Sequence, residues 1–234
     1  MARLSRLSLP GIPHYILQRG NNGQAIFSGP ADYQYMLALI SEHAREQRVA
    51  LHAFVLTGSQ VQLLATPETT TGVARMMQGV GRAYVRHYNH AQGRTGTLWE
   101  GRYRSALVDP EHHLLRSMVY MDLQPVRNLV VTEPAEYPWS SHAHYVGGPS
   151  LRFLSPPPVY WSLGNTPFSR EAAYAECVRR GLDADEERRL AEALRTGWPL
   201  GDAPFLAGVQ ERAARRVVKG RPGRPPAAVE PVPN

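Results

Sequence analysis

The chain has 234 residues, of which 43% are hydrophobic, and a formal net charge of +6. This size supports one domain with a buried core plus a smaller appendage, and the excess of positive charge favours a polyanionic partner such as a nucleic acid. A single cysteine, Cys177, excludes an intramolecular disulfide framework and a zinc site built from cysteines. Because neither a signal peptide nor an apolar run of membrane-spanning length is evident, we expect a cytoplasmic protein without a membrane partner.

The first half of the chain alternates between strand and helix patterns. In chain order these patterns predict a strand at 14–18, a helix at 30–48, strands at 50–57 and 60–66, a helix at 70–90 and a strand at 102–108. A further helix is expected from Asp109 to about Leu123, where Pro125 stops it. The order β-α-β-β-α-β predicts an α+β fold with a ferredoxin-like split βαβ core, to which this last helix is added.

The second half changes in composition. Residues 134–168 are rich in Pro, Ser, Gly and aromatic residues, and we expect Trp139 and Trp161 to pack on the first domain. Two short helices follow at 169–181 and 183–196, the second with a capping box formed by Asp183 and Glu186. The predicted division is 1–147 for the main DNA-binding domain, 148–168 for an irregular wrapping segment, 169–218 for a small helical extension and 219–234 for a disordered tail.

An isolated polar pair, Gln60 and Gln62, interrupts the apolar run from 54 to 64. Residues at i and i+2 of a strand point to one face, so the two side chains aim at a common point. Two histidines at these positions would form a ready metal site. Glutamine offers only a neutral amide oxygen, which attracts Mg²⁺ or Mn²⁺ far more weakly than carboxylate or imidazole ligands do.

Tyr120 is the candidate nucleophile on the helix that follows the fourth strand. A phenol has an ordinary pKa of about 10, so attack on a phosphodiester requires a nearby cation that stabilises the phenolate and the developing phosphorane charge. Gln124 lies one turn further on the same helix face and offers a third amide oxygen. The alternative is an ordinary structural tyrosine.

Arginines cluster along the second long helix and just after it. They are Arg75, Arg82, Arg86, Arg94, Arg102 and Arg104. No acidic residue occurs between Arg75 and Thr97, and Tyr and His are interleaved with the arginines. This composition suits phosphate contact combined with base stacking on a single strand, although every amphipathic helix also has a solvated polar face.

A loop near the N-terminus and the C-terminal tail add candidate DNA contacts. Arg19, Asn21 and Asn22 lie in a turn that offers backbone amides to a phosphate. In the tail, Gly-Arg-Pro occurs twice and presents Arg221 and Arg224. This pattern is similar to an AT-hook, in which an extended arginine core enters a narrow A·T minor groove; the alternative is a solubilising tail.

Several spaced motifs occur in one order along residues 8–147. They are RGNN at 19–22, the strand-turn-strand at 50–66, WEGRYR at 99–104, Tyr120 followed by QPVR at 124–127, and YPWSS at 137–141. Together they resemble the REP-associated tyrosine transposases, which belong to the single-tyrosine HUH superfamily of transposases and nucleases.

The resemblance implies a ferredoxin-like domain that binds single-stranded or hairpin DNA. It also implies a tyrosine nucleophile at Tyr120, which would form a 5′-phosphotyrosine intermediate, and a divalent metal held where Gln60 and Gln62 replace both histidines of the family motif. Gln124 corresponds to the family's third polar ligand. Because all three positions carry neutral amides, we expect a vacated metal site and no cofactor, with Mg²⁺ or Mn²⁺ only if cleavage is retained.

Three functions are therefore compared. The leading hypothesis is a transposase-family DNA-binding protein that recognises hairpin or single-stranded DNA, with strand cleavage lost or weakened and a regulatory role. The alternative is an active transposase or nickase that uses Tyr120 with an altered metal site. An RNA-binding module is the third, because RNA-recognition domains share this topology, but the strands lack the aromatic RNP signature.

Overall fold

One four-stranded antiparallel sheet, in the order β2-β3-β1-β4, lies at the centre of the protein. The structure is a computed structural model that describes residues 6–218, and the AT-hook-like segment with Arg221 and Arg224 lies outside them. The strands are β1 (His14–Arg19), β2 (Val49–Thr57), β3 (Gln60–Pro67) and β4 (Arg104–Leu107). With a helix after β1 and another after β3, this arrangement confirms the predicted α+β, ferredoxin-like core.

The hairpin of β2 and β3 fixes where the polar pair lies. Thr57 pairs with Gln60 across a two-residue turn, as the sequence predicts. On its other side β3 pairs with β1, so that Gln62 lies opposite Leu17. Opposed residues point to the same face of a sheet, and so do alternate residues of one strand. Gln62 therefore shares a face with Leu17 and Tyr15.

Two long helices cover the opposite face. These are α1 (Pro30–Glu46) and α2 (Gly72–Ala91), which pack along each other. The buried side of α2 is the one that its helical spacing predicts, and it includes Val73, Met76, Met77, Val80 and Tyr84. At Gly79 a Cβ atom would lie 2.7 Å from the ring of His43, so a side chain there would displace that ring from the contact between the two helices.

The helix that carries Tyr120 starts later than the sequence predicts. Asp109 accepts hydrogen bonds from the backbone N–H groups of Glu111 and His112, which holds this segment as a turn. The helix α3 (Leu114–Asp122) begins only after this turn. It breaks at Leu123, and the short helix α4 (Gln124–Arg127) follows with Pro125 in its first turn, where the missing N–H of proline costs no hydrogen bond.

The C-terminal part covers both edges of the sheet. Leu154 bridges to Leu51 of β2, and Leu200 bridges to Val108 just after β4. Such cover protects the unpaired backbone groups of edge strands. The helices of this part are α5 (His142–Tyr145), α6 (Pro158–Trp161), α7 (Pro167–Arg180), α8 (Ala184–Thr196) and α9 (Ala203–Arg212). The division at residues 148 and 169 stays a prediction.

Individual expectations for this part have different outcomes. The capping box of Asp183 and Glu186 is present at the start of α8. Trp139 stacks on Tyr33 of α1 with ring centroids 4.7 Å apart, as expected of a wrapping residue. Trp161 is half-exposed and contacts Arg170 of α7, so its expected packing on the first domain is wrong. Within residues 6–218, no helix has the length and apolar character needed to cross a bilayer.

Candidate functional site

Tyr120 lies on α3 and faces the sheet over β1. Its ring meets that of Tyr15 edge to face, with centroids 6.4 Å apart. The side chain is half-buried, and among the described residues its hydroxyl has no hydrogen-bond partner. Burial raises the pKa of Tyr120 above its ordinary value, Arg127 lowers that pKa and Glu187 raises it further. The phenol is therefore protonated, and so weakly nucleophilic, at neutral pH.

Tyr15 connects Tyr120 to the glutamine pair. Its hydroxyl donates a 2.7 Å hydrogen bond to Oε1 of Gln62, which is almost fully buried. Nε2 of Gln62 in turn donates to Oε1 of Gln60 at 3.2 Å. Tyr15 does not stand out in the sequence, because only the register of β1 against β3 shows that it shares a face with Gln62.

Arg127 supplies a fixed positive charge on the other side of Tyr120. The carbon of its guanidinium lies 3.9 Å from the centroid of the Tyr120 ring. One of its nitrogens donates to the carbonyl oxygen of Tyr120 and to Oε1 of Gln124, the latter at 3.0 Å, and another pairs with Glu187 of α8 at 3.1 Å. Tyr15 and Arg127 thus connect Tyr120 to Gln60, Gln62 and Gln124 by direct contacts, and we call these six residues the tyrosine site.

The donor set of the tyrosine site does not fit a divalent metal. All three offered ligand atoms are neutral amide oxygens, without the negative charge that Mg²⁺ or Mn²⁺ favours, and each also accepts a hydrogen bond, from Tyr15 at Gln62, from Gln62 at Gln60 and from Arg127 at Gln124. The positively charged guanidinium of Arg127 beside Gln124 would also repel a metal ion. Within residues 6–218, one group of acidic and histidine side chains is close enough to hold a metal, namely Asp109, His112 and Asp202, and it shares no residue with the tyrosine site.

A large groove runs along α2 on the opposite face of the sheet. Gln18, three positions from Tyr15 and therefore on the other face of β1, lines it. Its volume is about 1060 Å³. Six cations line this arginine groove, namely Arg6, Arg75, Arg82, Arg86, Arg94 and Arg102, and no acidic side chain does so among the described residues.

Local structure explains how the cations meet. Arg75, Arg82 and Arg86 recur on one side of α2 at intervals of seven and four residues. The segment after α2 turns back along this side and brings Arg94 and Arg102 to it, and the indole N–H of Trp99 donates to the carbonyl oxygen of Gly81 at 3.3 Å. The arginine spacing was visible in the sequence, whereas Arg6 was missed, because its position depends on packing with Tyr103, 97 residues away.

Of the predicted DNA contacts that lie within residues 6–218, Arg19, Asn21, Asn22 and Arg104 do not line the groove. Arg104 and Arg19 both pair with Glu100, at 3.7 and 3.6 Å. Asn21 and Asn22 form a single 3-10 turn, anchored by the Asn21 N–H on the carbonyl of Leu98. Their proposed roles in DNA contact stay predictions.

The groove is strongly positive because four of its cations have no compensating ion pair among the described residues. Among residues 6–218, the guanidinium groups of Arg75, Arg82, Arg86 and Arg102 form no ion pair. Arg94 is held by Oε1 of Gln24 and the carbonyl of Thr97, both neutral groups. Like charges gathered without counter-charges destabilise the isolated protein and attract a polyanion.

The sheet order and the helix carrying a tyrosine define a ferredoxin-like α+β fold with an added tyrosine helix. The chain is similar to a solved structure described as a REP-associated tyrosine transposase bound to a REP hairpin. The TM-score is 0.52 at 16% identity, over 68% of this chain and 93% of that one, and this similarity shows the fold. It confirms the fold that the sequence motifs implied.

A second solved structure, a putative transposase from Deinococcus radiodurans, has a TM-score of 0.34 at 18% identity, over 55% of this chain and 97% of that one. That score is too low to support any argument. No protein-family model matches the chain, and no curated protein does.

Proposed function

We propose that this protein is a transposase-family DNA-binding protein that holds hairpin or single-stranded DNA in the arginine groove, with strand cleavage at Tyr120 lost or weakened. The observation that carries this proposal is the set of unpaired arginines, Arg75, Arg82, Arg86 and Arg102, on one groove without acidic residues. Arginine suits this role because its planar guanidinium binds phosphate bidentately and stacks on bases. Neutralising phosphates releases counterions, which drives binding.

Two features support the impairment of cleavage. The tyrosine site has a protonated phenol and a donor set that does not fit a metal. It also lies on the face of the sheet opposite to the arginine groove, so that groove binding does not depend on an intact tyrosine site. A protein that binds DNA without cutting it would act as a regulator by occupying its target sequence on the DNA.

Binding to hairpin DNA at several salt concentrations tests the proposal. Arg82→Gln with Arg86→Gln should make the negative slope of log K against log salt shallower by about 1.4–1.8, because each lost phosphate contact removes about 0.7–0.9 from its magnitude. The matched control is Arg179→Gln with Arg188→Gln, which removes two exposed arginines that pair with Glu176 and Asp185. Equal effects of the two double variants would contradict the proposal.

One observation favours the alternative, an active transposase or nickase. Arg127 places a cation beside Tyr120 and lowers the pKa of that phenol. Incubation with hairpin-bearing DNA and Mg²⁺ or Mn²⁺ separates the two functions, because cleavage leaves a covalent adduct that Tyr120→Phe abolishes. Under our proposal the adduct is absent or scarce, and Gln60→His with Gln62→His increases it by restoring metal ligands.

The tail prediction has its own test. If residues 219–226 act as an AT-hook, their deletion weakens binding to A·T-rich duplex DNA and leaves hairpin binding through the groove unchanged. Unchanged affinity for the A·T-rich duplex would exclude the AT-hook and favour the alternative, a solubilising tail.

A further inference from the structure

Three potential metal ligands from two distant segments of the chain meet beside the edge strand β4. Asp109 and His112 lie in the turn between β4 and α3, and Asp202 is the residue that caps the start of α9. The ligand atoms are one carboxylate oxygen from each aspartate and one ring nitrogen of the histidine, and they lie within 4.8 Å of one another. This group shares no residue with the tyrosine site or with the arginine groove.

Backbone hydrogen bonds fix the two segments relative to each other. The N–H of Asp109 donates to the carbonyl oxygen of Leu200, and the N–H of Leu200 donates to that of Leu107, both at 2.8 Å. The carboxylates are also held in place. Oδ1 of Asp109 accepts from backbone N–H groups of its own turn, and Oδ1 of Asp202 accepts from the N–H of Phe205 at 3.0 Å. The ligands are therefore largely positioned before any ion binds.

The negative charge of this group is not fully compensated. Asp109 is only 3% exposed, and buried carboxylates are normally paired with a cation or bound to a metal. Among the described residues, neither Asp109 nor Asp202 is paired with an arginine or a lysine, and the ionic partner of Asp109 is His112, 3.0 Å from its Oδ2. Even a protonated imidazole would leave one of the two negative charges unbalanced, and a divalent cation would balance both.

The mixture of imidazole and carboxylate ligands suits Zn²⁺. Zinc binds histidine nitrogen and carboxylate oxygen at about 2.0–2.2 Å, which places the ligand atoms of a tetrahedral site about 3.4 Å apart. The observed separations need to close by little more than about 1 Å, and His112 and Asp202 are exposed and free to make that movement. Mg²⁺ is bound by oxygen ligands in a strict octahedron, so an imidazole ligand disfavours it.

A cleft gives an ion access to this group. It has a volume of about 890 Å³, lies between α3, α7 and α8, and is lined by His112 and Asp202. Three protein ligands leave one position of a tetrahedral zinc open, and a water from this cleft would fill it.

We infer that Asp109, His112 and Asp202 form a zinc site that fastens α9 to the edge of the sheet. The ion would join the turn after β4 to the first residue of the helix, which otherwise packs through Val209 on the small cluster that includes Leu107. Because the ligands converge only in the folded chain, zinc would stabilise the folded state. The site is independent of the proposed DNA-binding function.

Calorimetric titration of Zn²⁺ into the full-length protein without a histidine tag tests the inference. We expect one zinc ion to bind per chain, and an excess of Mg²⁺ of about tenfold should not displace it, because magnesium disfavours the imidazole ligand. Absence of zinc binding, or its displacement by that excess of Mg²⁺, would overturn the inference.

Variants locate the ion. His112→Gln and Asp202→Asn should each weaken zinc binding at least tenfold, since the loss of even an outer-shell partner costs about 10–100-fold. Asparagine caps a helix as well as aspartate does, so Asp202→Asn preserves the start of α9. The matched controls are His113→Gln and Asp183→Asn, a histidine and a helix-capping aspartate that line the same cleft outside the ligand group. Equal losses in the controls would overturn the assignment of the ligands.

Urea unfolding gives a second readout, which tests the link between the ion and the fold. Free Zn²⁺ at about 100 times its dissociation constant should lower the equilibrium constant for unfolding about 100-fold, because zinc binds the folded state only. The same zinc concentration should have little effect on His112→Gln. Stabilisation that persists in His112→Gln would place the ion elsewhere, and binding without stabilisation would overturn the role in fastening α9.

Discussion

The hydroxyl of Tyr15 donates a hydrogen bond of 2.7 Å to Oε1 of Gln62 on the neighbouring strand. This contact explains how a polar residue is tolerated inside an apolar strand, because a buried amide oxygen requires a donor. Gln62 in turn donates to Oε1 of Gln60 at 3.2 Å, so both amides of the pair are hydrogen-bonded. The polar pair is therefore part of the packed structure, and Tyr15 lies between it and Tyr120.

The first prediction concerns the stability of this contact. Tyr15→Phe leaves the buried Gln62 oxygen without its donor and should lower the free energy of unfolding by about 1–3 kcal/mol. The double variant Tyr15→Phe with Gln62→Leu removes both polar groups and should cost less than the sum of the two single changes. Urea unfolding of the four proteins measures the coupling. Strict additivity would show that the hydrogen bond contributes nothing.

Much of the fold could be predicted, because local patterns determine it. Alternation and helical spacing predicted β1, β2, β3, α1 and α2 to within a few residues, and seven- and four-residue spacing predicted the cationic side of α2. The helix α9 was missed because it packs mainly on a small second cluster with Leu7, Leu9 and Leu107, which no local pattern connects to it. Contacts such as Tyr15 with Gln62 and Arg6 with Tyr103 depend on strand register and long-range packing, which a single sequence does not encode locally.

Acid sensitivity should come from buried histidines. Burial lowers the pKa of His14 to about 4, and that of His52 is also lowered by burial. In the unfolded chain a histidine titrates near 6.5, so the unfolded state binds more protons below that pH. The stability contributed by neutral His14 is therefore complete above pH 6.5 and is lost as the pH falls towards 4, by about 3 kcal/mol.

Urea unfolding between pH 7 and pH 4 measures this loss, and His14→Gln should make the pH dependence shallower by that amount. The control is His112→Gln. The pKa of exposed His112 is raised by its hydrogen bond to Asp109, so its effect has the opposite sign and its removal should not relieve acid sensitivity. A wild-type slope retained in His14→Gln would contradict the prediction.

Leu129 should limit the stability of the protein through its backbone. It has φ of 56° and is 92% exposed, at the end of α4 where the N–H groups of Leu129 and Val130 donate to Val126 and Pro125. Glycine is preferred at this position of a helix end because a residue with a side chain costs about 1–2 kcal/mol in the left-handed region. A change to glycine removes this cost, but glycine loses more conformational entropy on folding, which offsets part of the stabilisation.

Leu129→Gly should therefore stabilise the protein by about 0.5–1 kcal/mol, visible as a higher urea midpoint at constant slope. Arg48→Gly tests the same backbone effect at a second position, because Arg48 has φ of 51° just after α1 and is also exposed. Asn128→Gly, whose φ of −84° any residue adopts, should not stabilise. Stabilisation by Asn128→Gly alone would rule out this explanation.

The last prediction concerns the electrostatics of Tyr120. Arg127 lowers the pKa of Tyr120, while Glu187 raises it and pairs with the same arginine. Glu187→Gln should therefore lower the pKa of Tyr120, as followed by NMR of ring-labelled tyrosine with Tyr120→Phe for assignment. Glu186→Gln is the control, because Glu186 pairs with Arg116 at 2.7 Å and should leave that pKa unchanged.

An unchanged pKa in Glu187→Gln, or an equal fall in both variants, would show that Glu187 does not specifically raise the pKa of Tyr120. A lower pKa makes the phenolate more abundant without adding a cation at the scissile phosphate. If Glu187→Gln then forms no more covalent adduct than the wild-type protein, the ionisation of Tyr120 is not what limits cleavage. If the adduct appears, the protonated state of Tyr120 was the barrier, and Arg127 alone is sufficient as the cation of the tyrosine site.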